Sequence, residues 1–453
     1  MKSINVNQVI NDSKLKRFHM NVLLWGLIIL LFDGFDLVIY GAVVPVLMED
    51  WSLTAIEAGA IGSYALVGMM LGATIFGTLA DKIGRKKVIV ICVILFSLFT
   101  ALIGFAGSPE IFGLLRFIAG LGLGGVMPNV IALMTEYSPK NMRGTLVTTM
   151  CSGYAIGGVL SAAISIGLIS NFGWESVFFV GVIPFFLLPW LYKYLPDSPN
   201  FYLRTNRSEE LGKILEKVNP DYTYQQTDVY QLEMSKENKI PVPELFRNKR
   251  SLSTLMFWAS ALMTLILLYG LNTWLPKLMV NAGYPLGSSL TFLLTLNFGA
   301  IIGSVLGGWL SDRWDTKKVL VMYYIIACIS LILLGFKPNM FLLYVLLAFA
   351  GATTIGSQIV ANVYVSQYYP THIRSTGVGW SLGIGRLGAV LGPSLGGVLL
   401  SMNLSLQVNF LVFAIPGLLA ALAIVFVQDN YGNLNVDNKK DYEGEIEDKR
   451  KYL

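Results

Sequence analysis

Twelve separate runs of about 20 mostly apolar residues punctuate this chain, and few folds tolerate such a pattern. The runs are 20–47, 55–79, 88–106, 110–135, 145–168, 174–195, 252–279, 287–310, 318–336, 340–367, 375–400 and 408–427. Of the 453 residues 54% are hydrophobic and only 13% are charged, which is more apolar surface than soluble domains can hide from water. A bilayer accepts it. The expected fold is an all-α polytopic membrane protein with twelve transmembrane helices. The 45 glycines fit, because small residues bring membrane helices close together.

Most connections are short. The exception, 196–250, is rich in Lys, Arg, Glu, Asn and Tyr and splits the spans six and six. The expected organisation is a six-helix bundle over 1–195, a cytoplasmic linker loop over 196–250, a second bundle over 251–427 and a polar cytoplasmic tail over 428–453. The first run follows Lys14, Lys16 and Arg17 and is too long for a signal-peptide core, so it reads as the first span. The N-terminus, the even-numbered loops with their flanking span ends, and the tail hold 29 of the 33 Lys and Arg residues. Arg116 and Arg386 lie inside spans, and the odd-numbered loops hold only Lys277 and Lys337. This asymmetry puts both termini in the cytoplasm, and the expected location is a bacterial inner membrane. It also accounts for the net charge of +5, so no nucleic-acid partner is expected. The three cysteines and two histidines offer no disulfide framework and no metal site, and no cofactor is expected.

An internal repeat relates the halves at one constant offset, the one that carries Gly77 to Gly308. Gly77-Thr-Leu-Ala-Asp81-Lys82-Ile-Gly84-Arg85-Lys86-Lys87 between spans 2 and 3 corresponds to Gly308-Trp-Leu-Ser-Asp312-Arg313-Trp-Asp315-Thr316-Lys317-Lys318 between spans 8 and 9. The same offset carries Pro139 to Pro370 and Arg143 to Arg374. Two six-helix halves in parallel repeat, with a cavity between them, are the architecture of rocker-type secondary transporters. Asp81, among Lys82, Arg85, Lys86 and Lys87, can bridge helices by charge and release them when the halves move. The expected latch comprises Gly77, Asp81, Gly84, Arg85, Lys86, Arg143, Asp312, Arg313 and Arg374. The competing reading is that these cations are only positive-inside anchors.

Ionisable groups at membrane depth are costly and tend to be functional. Asp33, Asp36, Arg116 and Arg386 lie well inside spans, and Glu136 lies at the end of span 4. Asp33 and Asp36 share a face of span 1, and two such carboxylates in a low dielectric resist double ionisation. That suits proton coupling, with a structural pair neutralised by Arg116 as the alternative. Asp33, Asp36, Arg116 and Glu136 form the expected coupling group. Arg386 sits near the midplane, and spans 7–12 contain no acidic residue in their interiors. A guanidinium fork there matches a substrate carboxylate, with pairing to Asp33 or Asp36 as the alternative. Asp36, Tyr40, Tyr64, Asn272, Trp274, Asn297, Gln358 and Asn362 complete the expected substrate-binding set with Arg386. Aromatic side chains can stack on a flat ring, although helix packing or an interfacial belt also explains each one singly.

Over nearly its whole length the chain resembles the major facilitator superfamily. The Gly77–Lys87 loop resembles its signature between spans 2 and 3, with Asp315 and Thr316 in the second copy where the first has Gly84 and Arg85. Arg116-Phe-Ile-Ala-Gly120-Leu-Gly122 resembles its span-4 motif. Gly153-Tyr-Ala-Ile-Gly157-Gly158 resembles its span-5 motif without the usual Pro. Within the superfamily the chain is most similar to the aromatic acid:proton symporters of benzoate and hydroxybenzoate. Asp33-Gly34-Phe35-Asp36-Leu37-Val-Ile-Tyr40-Gly41, Met127-Pro128-Asn129, Glu136 through Arg143 and Gly385-Arg386-Leu-Gly388 carry that similarity.

The resemblance implies symport of a small aromatic carboxylate with protons by alternating access, and the expected state is a monomer in lipid. It implies functional status for Asp33, Asp36, Arg116, Glu136 and Arg386. Leu195-Pro-Asp197-Ser-Pro199 resembles a stretch shared with sugar porters and discriminates poorly, so nicotinate, a dicarboxylate or a sugar stand as alternative solutes. A chemoreceptor for aromatic acids is a rival of another class. An enzyme is not expected, since the spans contain no metal-ligand cluster and no nucleophile triad. No Gly-x4-Gly-Lys-Ser/Thr phosphate loop is present.

Overall fold

The computed structural model describes residues 3–225, 228–231, 242–370 and 373–432. Among these, twelve helices are long and apolar enough to cross a bilayer. Spans 1–6 are Arg17–Asp50, Ala55–Ile83, Arg85–Ile103, Pro109–Tyr137, Arg143–Phe172 and Glu175–Tyr194. Spans 7–12 are Ser251–Asn281, Leu286–Arg313, Thr316–Leu334, Met340–Tyr368, Arg374–Ser401 and Leu406–Val425. Each matches an expected apolar run to within a few residues.

Local chemistry explains where the helices stop and start. Thr54 and Glu57 close a reciprocal cap at the start of span 2, and Ser108, Asn339 and Ser405 cap spans 4, 10 and 12. Span 6 is interrupted by a 3-10 turn at Val180–Val182, just ahead of Pro184. Ser97 of span 3 repairs the interruption. Its hydroxyl donates to the Gly181 carbonyl at 2.6 Å and accepts the Phe185 N–H at 3.0 Å.

Contacts group the chain into two compact units, Met1–Lys236 with Met279–Leu294, and Glu237–Leu278 with Thr295–Leu453. In the first, span 1 packs on span 5, and spans 2 and 3 pack on span 4. In the second, span 9 packs on spans 10 and 12. Lipid offers no hydrophobic drive between helices, so close backbone approach does much of the holding. A Cβ at Gly157 of span 5 would strike the Leu31 carbonyl, and one at Gly388 of span 11 would strike that of Leu262. A Cβ at Gly72 would strike the Leu121 carbonyl, and one at Gly303 would strike Ala352. Both pairs of contacts recur at the offset that relates Gly77 to Gly308, so the sequence repeat is also a packing repeat.

The segment expected as a linker loop is built into the units. Helices Pro199–Arg204 and Ser208–Val218 follow span 6, and strand Val229–Gln231 pairs in parallel with Ser3–Asn5. Leu211, Leu215 and Val218 bury one face of the second helix. The Asn219 side-chain amide donates to the Val9 carbonyl at 3.1 Å, which ties this segment to the N-terminal helix Val6–Asn11. A high density of charge masked that amphipathic pattern in the sequence. Residues 433–453 of the expected tail lie outside the described residues.

Candidate functional site

Span 1 places Asp33 and Asp36 one turn apart, 0% and 2% exposed. Arg116 of span 4, itself buried, donates through Nη1 to Asp36 Oδ1 at 2.9 Å and to the Asp36 carbonyl at 3.2 Å. The Thr100 hydroxyl of span 3 donates to Asp36 Oδ2. Three helices therefore converge on one carboxylate. The Tyr40 ring lies 5.2 Å from the guanidinium, and its hydroxyl donates to the Ala58 carbonyl at 2.5 Å. Tyr40, expected at the substrate, is thus engaged in supporting Arg116. Thr100 escaped sequence reading because a lone Thr in an apolar run gives no sign of its partner.

Two buried carboxyl groups lie one turn apart on span 1, and the buried guanidinium pairs with one of them, Asp36. Desolvated charge is tolerated only when balanced, and this group balances when it carries one proton. Glu136, expected with the coupling group, is elsewhere. It lies 20 residues beyond Arg116 on the continuous helix of span 4, about 30 Å at the helical rise. There Arg85 Nη2 meets Glu136 Oε1 at 2.7 Å.

In the second unit Arg386 is half-buried on span 11 and, among the described residues, forms no ion pair. Trp274 is fully buried and donates its indole N–H to the Pro393 carbonyl at 2.8 Å, so it packs span 7 on span 11. The Asn272 amide donates to the Leu268 carbonyl at 2.9 Å and accepts from Asn297 at 3.2 Å. Gln358 and Asn362 of span 10 line a cavity of about 20 Å³, together with Ser260 and Thr264 of span 7 and Ser381 of span 11. Of the expected substrate set, these two amides and Arg386 remain the best placed to meet a ligand in this unit. In the first unit Tyr64 is exposed, with its ring lying over Gly113.

The signature loop is organised around an acid other than the expected Asp81. The Asp81 side chain is exposed, while its carbonyl accepts from Arg204 at 2.6 Å. The central acid is Asp197, which lies against Gly84 at a backbone φ of +97°. Asp197 Oδ1 accepts from the backbone N–H of Ser198 at 2.8 Å and of Lys86 at 3.4 Å. Its carbonyl accepts from the Tyr137 hydroxyl at 2.5 Å. Burial raises the Asp197 carboxyl above the usual range, and the N–H donors only partly oppose this. The Lys86 ammonium sits 4.3 Å from the Tyr192 ring, and Arg143 donates to Asn11 at 2.9 Å. Arg313 lies over Trp309 at 4.2 Å, and Arg374 is half-buried. Space around Gly77 is open, and the Asp312 side chain is outside the described residues.

The second half carries the counterpart network. The Tyr368 hydroxyl donates to the Gln428 carbonyl at 3.3 Å, at the repeat positions of Tyr137 and Asp197. Lys317 pairs with Asp429 at 3.1 Å, and the Tyr364 hydroxyl donates to the same carboxylate.

Comparison with known proteins agrees with this architecture. The family model described as Major Facilitator Superfamily matches residues 26–301 and 288–447. The chain is 48% identical to a benzoate transport protein of Acinetobacter baylyi, covering 94% of this chain and 93% of that protein. It is 35% identical to a gentisate transporter of Corynebacterium glutamicum, over 92% and 90%. It is 31% identical to the 4-hydroxybenzoate transporter PcaK of Pseudomonas putida, over 94% and 96%. Among solved structures, a D-xylose–proton symporter matches with a TM-score of 0.71 at 16% identity, over 90% of this chain and 98% of that one. The match over nearly the whole chain and the repeated twelve-helix architecture lead to one conclusion: the protein belongs to the Major Facilitator Superfamily, in its aromatic-acid transporter family, and is not an enzyme.

Proposed function

We propose that the protein imports an aromatic carboxylate of the benzoate or hydroxybenzoate type together with protons, by alternating access. The observation that carries the coupling is a buried group of three charges: Asp36 paired with Arg116, and a second buried acid, Asp33, one turn away on span 1. Protonation makes this group electrically neutral, which lowers the cost of closing it away from water. Loss of the proton restores a net charge and favours a state in which the group is hydrated. A ligand drives such a cycle only through different affinities for the two states, and a proton bound at this group has that property. Arg386 receives the substrate carboxylate, since a guanidinium fork matches it in geometry and charge. The aromatic acids named for the similar transporters support the choice of substrate class.

The distribution of Lys and Arg supports a cytoplasmic-membrane location with both termini inside the cell. The monomer contains the whole of both units, and we assign function to it.

The test is uptake of labelled benzoate into proteoliposomes with and without an imposed proton gradient. Accumulation should require the gradient, and nicotinate, a dicarboxylate or a sugar in excess should compete less well than unlabelled benzoate. Asp33→Asn and Arg386→Ala should each abolish accumulation. Gradient-independent uptake, or full activity in both variants, would overturn the mechanism.

A further inference from the structure

The cavity in the second unit has a volume of about 20 Å³. That is room for one water-sized group, and a benzene ring does not enter it. Its walls are largely apolar, but five polar side chains, those of Ser260, Thr264, Gln358, Asn362 and Ser381, interrupt them. The hydroxyls of Ser260 and Thr264 meet the buried Tyr324 hydroxyl at 3.1 and 2.6 Å, so span 9 holds them in place from behind. The side-chain amides of Gln358 and Asn362 are different. They lie four residues apart on span 10 and, among the described residues, take no hydrogen bond.

The depth of the cavity is also informative. Gln358 lies ten residues from the end of span 10 at Tyr368, about 15 Å along the helix. Arg386 lies twelve residues from the start of span 11 at Arg374, about 18 Å along it. Leu382 and Gly385, on the turn before Arg386, belong to the cavity wall. The recess, lined also by Asn362 about 9 Å from that end of span 10, reaches at Gln358 nearly to the depth of the guanidinium.

We infer that this recess is a specificity site for a hydroxyl group on the substrate ring, read by Gln358 and Asn362. The inference rests on the aromatic-carboxylate reading above. Its chemical reason is the donor and acceptor inventory. A carboxylate only accepts, and Arg386 only donates, so those two suit each other. A hydroxyl donates and accepts at once, and so does each carboxamide. With benzoate the recess keeps its water, and with a suitably placed hydroxyl the water leaves. Unsubstituted and monohydroxylated acids are therefore both carried, and the amides set the preference between them.

The experiment measures kcat/KM for benzoate and for 2-, 3- and 4-hydroxybenzoate in proteoliposomes of the full-length protein, with Gln358→Leu, Asn362→Leu and Tyr324→Phe alongside the wild type. For at least one hydroxybenzoate isomer, the ratio to benzoate should fall about tenfold in each amide variant, the loss of one hydrogen bond. Tyr324→Phe, a positioning change, should lower the same ratio less. A purely structural role would lower all four substrates equally, and unchanged ratios would overturn the inference. A second measurement needs no variant. In wild-type protein the methoxy analogue of the favoured isomer, too large for the recess and without a donor, should compete at least about tenfold less well than the hydroxyl compound. Equal competition would overturn the inference. Failure of the wild type to carry any aromatic acid would instead remove the reading on which it rests, and the inference with it.

Discussion

Thr316 Oγ1 donates to Gln367 Oε1 at 2.9 Å, at the positions in the second half that Arg85 and Glu136 hold in the first. The contact has been kept across the repeat while its chemistry has changed from an ion pair to a neutral hydrogen bond. The adjoining links of Tyr137 to the Asp197 carbonyl and of Tyr368 to the Gln428 carbonyl repeat with it. Read as sequence alone, Thr316 in place of Arg85 is a decayed copy of the motif. In the folded protein its partner has changed in step.

The two versions should respond differently to salt. A double-mutant cycle on Arg85→Ala and Glu136→Ala, read by thermal unfolding in detergent, should give a coupling of about 0.5–1 kcal/mol for this partly buried pair. That coupling should shrink as ionic strength rises. The cycle on Thr316→Ala and Gln367→Ala should give a coupling indifferent to salt. Equal salt sensitivity of the two cycles would contradict the assignment.

The Asp36–Arg116 pair should show an asymmetry. Asp36→Leu removes the carboxylate that is hydrogen-bonded to the buried guanidinium, which cannot shed its charge, and should cost about 3–5 kcal/mol. Arg116→Leu should cost less, because the carboxyl groups left behind can take up protons. The double variant Asp36→Leu/Arg116→Leu should recover most of the lost stability and none of the gradient-driven accumulation. Melting temperatures and uptake, measured on the same preparations, test both halves of this statement.

Two glycines of span 2, five residues apart, should differ sharply. Gly72→Ala pushes a methyl group into the Leu121 carbonyl and should destabilise the protein by about 1–3 kcal/mol. Gly77→Ala, although inside the signature motif, meets open space and should be neutral or stabilising by up to about 1 kcal/mol through helix propensity. Comparable losses at both positions would show that Gly77 faces a contact the structure lacks.

Asp197 should leave a mark on the pH dependence of stability. Its carboxyl is raised in the folded protein above the ordinary value of 3.8, chiefly by burial. The folded state therefore binds this proton more tightly than the unfolded state, and the associated stability is present in full below 3.8 and fades as pH rises through the raised value. Asp197→Asn should remove that part of the decline. Parallel melting curves for wild type and variant across the acid range would count against it.

Much of this protein was legible in its residues. Apolar runs of bilayer length mark all twelve spans, since lipid admits only helices that satisfy their own backbones. The constant offset from Gly77 to Gly308 and from Arg143 to Arg374 announces the repeat. The cost of intramembrane charge singles out Asp33, Asp36, Arg116 and Arg386 before any geometry is known. Partners were another matter. That Asp36 meets Thr100 as well as Arg116, that Glu136 belongs with Arg85, that Asp197 replaces Asp81 at the centre of the loop, and that Trp274 is spent on Pro393 depend on how each helix is rotated and how deep it sits. Hydropathy is nearly uniform around these spans, so composition along a helix leaves its rotation undetermined. Glycine contacts with neighbouring backbones set that rotation, and they exist only once the helices have packed.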